Sequence, residues 1–495
     1  MEHKLAVQLA QVRDARGKHL AMLAWGDPVE VVADHPDRLD VRIMKPVVNK
    51  ANEGSIEVVP LDGTISKKPK GGSPKIDRVV EPASESRVLK VDFVDVQQGD
   101  GAVVETPRGK VLLVDGGELK LFARYLASRF RGTRRSRPRK VDAIVVTHGD
   151  VDHFKGLLLV HDSEEHPEPH KRIFIHPKRI FHNGLVPRSG DPKDADKFGA
   201  TAEVDGRKVV TDLVEDLRDL ADAKLSATFA DWKKVIGAWA ERGRIDMRRL
   251  DSTTEGAFKF LEGEDIEVEV LGPITVKAGR KLGLPLLGTP RRVFGHPSQK
   301  PTTRFGSPSA SHTINGHSVV LRLKYHDVRV LLAGDLNEES ELKLLAAHEA
   351  KTVDLRSEVL KVPHHGSADF DPGFLAAVNP IVSVVSSGDE NEAKEHIHPR
   401  ATLMSGLGKV GRDPEPVVFV TELVAFFTAE GKAPSAERRP SPFYAFSREQ
   451  YGMVSVRTDG RHLFVYTGSG KADAKEAYLY EVGKDGHHPR PIARV

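Results

Sequence analysis

Short hydrophobic runs open the chain: Ala21–Trp25, Val29–Ala33 and Leu39–Ile43 are strand-length, and Gly26-Asp27-Pro28 and His35-Pro36-Asp37 separate them. Runs of that length bounded by Gly, Pro and Asp read as strands and turns, so residues 1–70 are expected to form a small all-β domain. Ser66–Lys75 is rich in Pro, Gly and Lys without periodicity, and 71–87 reads as a linker. From Val88 the pattern predicts a strand over Val88–Val96 and a hairpin of Gly101–Glu105 with Val111–Val114 across Pro107-Arg108-Gly109. A helix over 118–130 and a buried strand over Ala143–Thr147 follow.

Between about 187 and 312 the pattern changes to charged helical stretches, Asp212–Leu225 and Asp231–Arg242, one strand at Ile266–Leu271, and a Gly, Pro, Ser and Arg rich tract. It reads as a helical insertion. Strands return at Ser318–Tyr325, Val328–Ala333 and Val359–Val362, with a helix over Glu338–Ala350. A closing hairpin, Met453–Arg457 with His462–Tyr466, turns on Asp459-Gly460, which suits the positive φ angles of a type I′ turn. The main domain is therefore expected over 88–470, with 471–495 as a C-terminal segment.

Composition narrows the chemistry. The 495 residues include no cysteine, which excludes disulfides, thiolate nucleophiles and Cys-ligated zinc, so a metal would be held by His and carboxylate. Hydrophobic residues are 39% and charged residues 29%, the balance of a globular chain. The first twenty residues carry charges throughout and lack the apolar core of a secretory signal, so the expected location is the cytoplasm. Apolar runs such as Val111–Val114 and Val330–Ala333 fall far short of the roughly 20 residues of a membrane span.

Thr147-His148-Gly149-Asp150-Val151-Asp152-His153 places four metal-capable side chains directly after an apolar strand. Adjacent and alternate positions on a tight loop can point His148 and Asp150 at one ion and Asp152 and His153 at another. Two further strands end in the same manner, Leu331-Leu332-Ala333-Gly334-Asp335 and Leu360-Lys361-Val362-Pro363-His364-His365. A bare Gly-Asp is more often an ordinary turn; it is the company of the other two motifs that makes Asp335 a candidate bridge between cations.

These motifs, in this order, resemble the hydrolase domain of ComEC-type DNA-uptake proteins, a branch of the metallo-β-lactamase superfamily. Asp95-Val96-Gln97-Gln98-Gly99-Asp100 looks like the family's Asp-Val-Gly-Gln-Gly-Asp, and Val111–Val114 followed by Asp115-Gly116-Gly117 like its Asp-Gly-Gly strand end. Its His-x-Asp-x-Asp-His, Asn-x-x-Ser, Gly-Asp and Pro-His-His-Gly-Ser fall on His148–His153, Asn315–Ser318, Asp335 and Pro363–Ser367, and a later His-Pro-His-Pro has an analogue in His396-Ile397-His398-Pro399 lacking the first proline. The resemblance covers about 88–186 and 312–420 and implies an α/β fold, the αββα sandwich of that superfamily. It implies no role in DNA import, because the chain has no membrane channel.

The expected ligand set is His148 and Asp150 on one ion, Asp152, His153 and His365 on the other, and Asp335 bridging, with His364 as the alternative to His365. Two divalent ions, zinc or manganese, fit carboxylate and imidazole donors. Asp115 is expected to orient a ligand histidine from behind, and Asn315 to stand behind the ligands in the same way. His398 or His396 could protonate a leaving oxygen or contact phosphate, and His317 could approach the site. Arg124–Lys140 holds eight basic residues and no acidic one; Arg131, Arg134, Arg135, Arg137 and Arg139 are candidate contacts to a nucleic-acid backbone, with a second basic patch at Arg291–Arg304. The leading expectation is a nuclease or phosphodiesterase acting on DNA or RNA. The alternatives are a metallo-hydrolase of small esters, lactams or thioesters, which needs an enclosed apolar pocket, and a non-catalytic binding or regulatory protein. A protein partner could dock on the N-terminal domain or the insertion.

Overall fold

A computed structural model of the chain describes residues 3–49, 55–68, 78–190, 196–291, 304–388, 398–412, 416–421, 426–433, 443–450, 452–468, 476–482 and 487–491. Two central sheets lie face to face. The first has ten strands in the order Asp246–Arg249, Arg179–His182, Ala143–Val145, Val111–Asp115, Gly101–Glu105, Leu89–Val94, Met453–Thr458, His462–Gly468, Ala477–Glu481, His487–Pro491. The second has six: Ile266–Gly272, Val320–Tyr325, Val328–Leu332, Val359–Lys361, Val382–Val385 and Val417–Val420.

The period-2 alternation of a strand explains the layering. In Val111–Asp115, Leu112 and Val114 face the second sheet, where they meet a core containing Leu321, Val330, Val359 and Val384. Val111 and Leu113 face outward onto the helices Leu121–Arg129, Val151–Asp162 and Ala227–Ala240. The second sheet is covered on its outer side by Glu338–Glu349, Pro372–Val378 and Ala401–Val410. The layers run helix, sheet, sheet, helix, which is the expected αββα sandwich. Strands buried on both faces need continuous apolar runs, and the runs picked out in the sequence supply them.

Six strands within 3–66, together with Val80–Pro82, form a seven-stranded antiparallel sheet around Leu5, Val12, Val29, Leu39, Val41 and Ile65. The 71–87 segment read as a linker ends inside this sheet, because Val80–Pro82 pairs with His3–Leu5. Trp25 packs with Val88, Phe464 and Tyr466, joining the unit to the first central sheet.

The expected helical insertion needs correcting. Of 187–312, Asp246–Arg249 and Ile266–Gly272 are edge strands of the first and second central sheets, and Ala227–Ala240 belongs to the outer helix layer. What remains distinct is a four-stranded antiparallel sheet of Thr201–Val204, Arg207–Val210, Lys281–Pro285 and Val276–Ala278. The helix expected over Asp212–Leu225 is replaced by two short 3-10 turns, Leu217–Asp219 and Asp222–Lys224. There the Asp216 side chain accepts from Arg218 N at 2.9 Å, the local competition by which Asp breaks helices. Likewise the segment 471–495 is not separate: Ala477–Glu481 and His487–Pro491 continue the ten-stranded sheet. No helix among the described residues is long and apolar enough to cross a membrane.

Candidate metal centre

The chemistry-bearing loops leave the carboxyl ends of parallel neighbours. Val111–Asp115 and Ala143–Val145 are parallel in one sheet, and Val328–Leu332 and Val359–Lys361 in the other, so Asp115, His148, Asp335 and His365 meet along one rim of the sandwich. The metal loop opens the helix Val151–Asp162 with Asp150 in the N-cap position. Close backbone contact seats it: Gly116 N donates to His153 O and Gly156 N to Gly117 O, both at 2.7 Å. A Cβ on Gly99 would lie 1.6 Å from Asp152 O, so only glycine lets the Gln97–Asp100 loop press on the metal loop.

Three imidazoles and two carboxylates converge. His153 Nε2 stands 3.3 Å from Asp335 Oδ1 and 4.0 Å from Asp152 Oδ1. His365 Nε2 stands 3.1 Å from Asp335 Oδ2 and 3.4 Å from Asp152 Oδ2, and His148 Nε2 is 4.0 Å from Asp335 Oδ2. Compact ligand groups form from His148, His153 and Asp335, from Asp152, His153 and His365, and from two sets that include Asp100. The Nε2 atoms of His148, His153 and His365 and Asp335 Oδ1 are buried and have no hydrogen-bond partner. Buried polar atoms are normally satisfied, so an unpartnered cluster of nitrogen and oxygen donors facing one point fits a divalent cation.

The two adjacent histidines separate into different roles because both adopt left-handed backbone, φ 48° at His364 and 52° at His365, a strained arrangement typical of functional turns. His365 joins the ligand cluster, and its Nδ1 donates to Ser386 O at 3.0 Å. His364 Nε2 instead donates to the Asn315 amide oxygen at 3.2 Å, while the Asn315 amide nitrogen donates to Asp150 Oδ2 at 2.8 Å and to Ser311 O at 3.2 Å. Asn315 thus ties His364 to Asp150. Asp150 accepts from Asn315 and stands beside the compact groups, while His148 groups with Asp335 and His153.

Asp115 lies behind His153 as the sequence suggested. His153 Nδ1 donates to Asp115 Oδ2 at 2.9 Å, and Thr147 N and Oγ1 both donate to Asp115 at 2.7 Å. The carboxylate fixes the tautomer that turns Nε2 toward Asp335 and the other clustered donors. Asp115→Asn is expected to weaken metal retention by about 10–100-fold with little change in fold, read by competition with a chelator; unchanged retention would remove Asp115 from this role.

Electrostatics follow from burial among carboxylates. Burial alone would lower His153 and His365, but Asp335, with Asp115 and Asp152 at the first and Asp100 and Asp152 at the second, raises both well above the ordinary histidine value. Burial, reinforced by His153, pushes His148 down to about 3. Burial and the neighbouring Asp152 push Asp150 up to about 7. His398, 5.9 Å in ring centroid from His364, is lowered to about 4 by burial and the two histidines. His396 lies outside the described residues.

His317 is not in the donor cluster: its Nε2 donates to Pro285 O at 2.7 Å, and burial lowers it to about 3. Between this value and the ordinary 6.5 the unfolded chain binds the extra proton, so His317 removes stability as pH falls below about 6.5, by up to ~1.4 kcal/mol per pH unit. In metal-free protein, His317→Gln, which can still donate to Pro285, is expected to flatten that slope by up to one proton in urea titrations; an unchanged slope would show that His317 is protonated in the fold.

The cleft above the ligands has a volume of about 1060 Å³, and Gln98, Asp150, Ser311, Asn315, Ser367, Arg400 and Thr402 are among the residues on its walls. The basic run is elsewhere. Arg139 donates to Gly109 O at 3.2 Å, in the turn at the opposite end of Val111–Asp115 from Asp115, and its guanidinium lies 4.8 Å over Phe130. Arg131, Arg134, Arg135 and Arg137 are exposed in the same loop, so none of the five lines the cleft. Arg129 of the run is structural, in ion pairs with Asp92 and Glu105 at 2.7 and 2.9 Å. The second basic patch lies largely outside the described residues. Three supporting residues were not singled out from sequence: Gln98, whose Nε2 donates to Asp152 Oδ2 at 3.3 Å, Asp100, and Lys361. A lysine inside the apolar strand Val359-Leu360-Lys361-Val362 was the available signal.

Residues 94–221 match the family model described as the metallo-beta-lactamase superfamily, a stretch that carries Asp115 and the whole metal loop. No curated protein matches the chain. Among solved structures, the chain is similar to Zn(2+)-bound PqqB from Methylobacterium extorquens, at 10% identity over 67% of this chain and 97% of that one, with a TM-score of 0.30. It is also similar to Igni18, a metallo hydrolase from the archaeon Ignicoccus hospitalis, at 12% identity over 67% of this chain and 95% of that one, with a TM-score of 0.27.

Proposed function

We propose that this chain is a metal-dependent hydrolase of phosphodiesters, acting on DNA or RNA, with its ions held by His148, Asp152, His153, Asp335 and His365. The observation that carries the reading is the set of unpartnered buried donor atoms, three imidazole nitrogens and a carboxylate oxygen, two of whose residues, His365 and Asp335, line a wide cleft. When bound, divalent ions, zinc or manganese, supply Lewis-acid charge for the developing anion and an acidified water as nucleophile.

The chain's own groups complete the chemistry. Asp150, anchored by Asn315, lines the cleft as a carboxylate that can accept a hydrogen bond from a water or a substrate hydroxyl. His398 lines the cleft with its ring 5.9 Å from that of His364 and 6.5 Å from that of His365, where it can donate to a leaving oxygen, and Arg400 on the same wall offers a planar donor for a phosphate oxygen. Gln98 and Asn315 fix Asp152 and Asp150, so the reacting groups need not reorganise during the reaction.

Wall chemistry favours phosphodiesters over small esters, lactams or thioesters. Those would be gripped by an apolar enclosed pocket, whereas this cleft is open and most of its lining side chains carry hydroxyl, amide, imidazole or carboxylate groups, with Arg400 as a cation. The ComEC-type motifs point the same way. Arg131, Arg134, Arg135 and Arg137 enter this reading as backbone contacts for a polymer long enough to pass from the cleft to the other end of the five-residue strand Val111–Asp115, roughly 15 Å at ~3.3 Å per residue of strand.

The test is metal-stripped protein incubated with labelled single- and double-stranded DNA and RNA, with manganese, zinc or magnesium restored, alongside a small lactone and a thioester. Cleavage of nucleic acid that weakens as salt rises is expected, since phosphate contacts release counterions. Turnover of the lactone or thioester alone would replace the phosphodiester reading.

A further inference from the structure

Two of the compact ligand groups include Asp100, a carboxylate for which the chemistry above has no use. Asp100 is buried on the loop that presses on the metal loop, with Oδ1 3.3 Å from His365 Nδ1. Its other oxygen is paired with the ammonium of Lys361. Lys361 is only 4% exposed, its Nζ donates to Gly334 O at 3.0 Å, and it stands 3.8 Å from Asp335 Oδ1. A lysine on a core strand is expensive to bury unless carboxylates meet it, and here two carboxylates of the centre do.

Asp115 and Asp100 flank the cluster in parallel ways, one behind His153 and one behind His365. Their surroundings differ. Asp115 is satisfied by the amide and hydroxyl of Thr147 as well as by His153. For Asp100, Oδ1 has no hydrogen-bond partner and Oδ2 faces Lys361. Without the ammonium, Asp100 would be a free carboxylate within ligand distance of His365 and Asp335, which is the composition of a cation site.

We propose that the Lys361 ammonium is a built-in cation, taking the position between Asp100 and Asp335 that an ion would otherwise fill and so keeping Asp100 out of the ligand set. This rests on the metal-centre reading above. Lys361 is a positioning residue: it fixes Asp100 against the Nδ1 edge of His365 and holds the Gly334–Asp335 turn through the Gly334 carbonyl. The number and geometry of the ions then follow from a lysine as much as from the ligands.

Cobalt titration of metal-stripped protein, read by visible absorption and by bound metal per chain, tests this. Asp100→Asn is expected to keep the wild-type band positions and bound-metal number, with affinity reduced no more than about tenfold. Lys361→Met, which keeps the apolar stem and drops the charge, is expected to shift and weaken the bands as Asp100 adds an oxygen donor. Asp100→Asn in the Lys361→Met background is expected to return them to wild type. Wild-type bands in Lys361→Met, or loss of a bound ion in Asp100→Asn, would overturn the proposal, and if Lys361→Met does not fold the Asp100→Asn result decides alone. A wild-type chain that takes up no cobalt removes the metal-centre reading and this proposal together, an outcome distinct from an unshifted variant.

Discussion

Asp335→Ala is expected to lower metal-dependent hydrolysis by about a thousandfold or more, equivalent to ~4 kcal/mol of transition-state stabilisation, and to lower bound metal with it. Among the clustered carboxylates, Asp335 is the one that faces all three imidazoles. Asp335 stands 3.3 Å from His153 Nε2, 3.1 Å from His365 Nε2 and 4.0 Å from His148 Nε2. Its own Oδ1 is unpartnered. Its backbone is set independently of any ion, since Asp335 N donates to Ser318 Oγ at 2.9 Å. The variant should therefore fold as the wild type does, which circular dichroism would check while kcat/KM and metal content are measured. A variant that keeps its metal and loses less than about tenfold in rate would move the bridging role away from Asp335.

Gly156→Ala is the second large effect, and two principles oppose each other there. Alanine is the better helix former by about 1 kcal/mol, so propensity alone would make the variant more stable. Tertiary packing says the reverse. A Cβ at 156 would lie 1.9 Å from Gly116 O and within 2.9 Å of Gly117 O, and both neighbours are backbone that also bonds this helix. Relief requires the helix to withdraw from the Asp115-Gly116-Gly117 turn, breaking the Gly156 N to Gly117 O and Gly116 N to His153 O bonds. Overpacking with loss of buried bonds is expected to cost about 3–5 kcal/mol and to displace His153, so both the urea midpoint and metal retention should fall. A variant as stable as wild type would mean that the helix sits farther from the turn.

The ligand loops were legible because each follows a short apolar run that can only be a buried strand, and strand ends on one rim are where α/β folds gather chemistry. His148, Asp152 and His153 could be named from their density on one loop, and Asp115 from the glycine pair that follows it. The 187–312 region was misread for a physical reason. Ile266–Gly272 alternates clearly and Asp246–Arg249 is a short charged edge strand, but membership of the central sheets comes from pairing with Val320–Tyr325 and with Arg179–His182, which neither strand's own pattern encodes. Asp212–Leu225 has helical spacing but an aspartate that caps its own short turn. The basic run was visible as charge, but charge says nothing of which end of a strand it occupies.

By itself the sequence determined the alternation of buried strands and covering helices, the exclusion of thiolate chemistry by the lack of cysteine, and the residue types from which a metal centre could be drawn. Each of these is a local property, carried by hydrophobic period or by donor chemistry. Only the tertiary structure decided which donors meet. It set His365 in the donor cluster with Asp152, His153 and Asp335 and His364 on Asn315, anchored Asp150 to Asn315, placed the arginine loop at the far end of the strand from Asp115, and drove Lys361 between two carboxylates. Those outcomes depend on distances between segments up to a few hundred residues apart, fixed by the packing of two sheets and by left-handed turns whose direction no local pattern encodes.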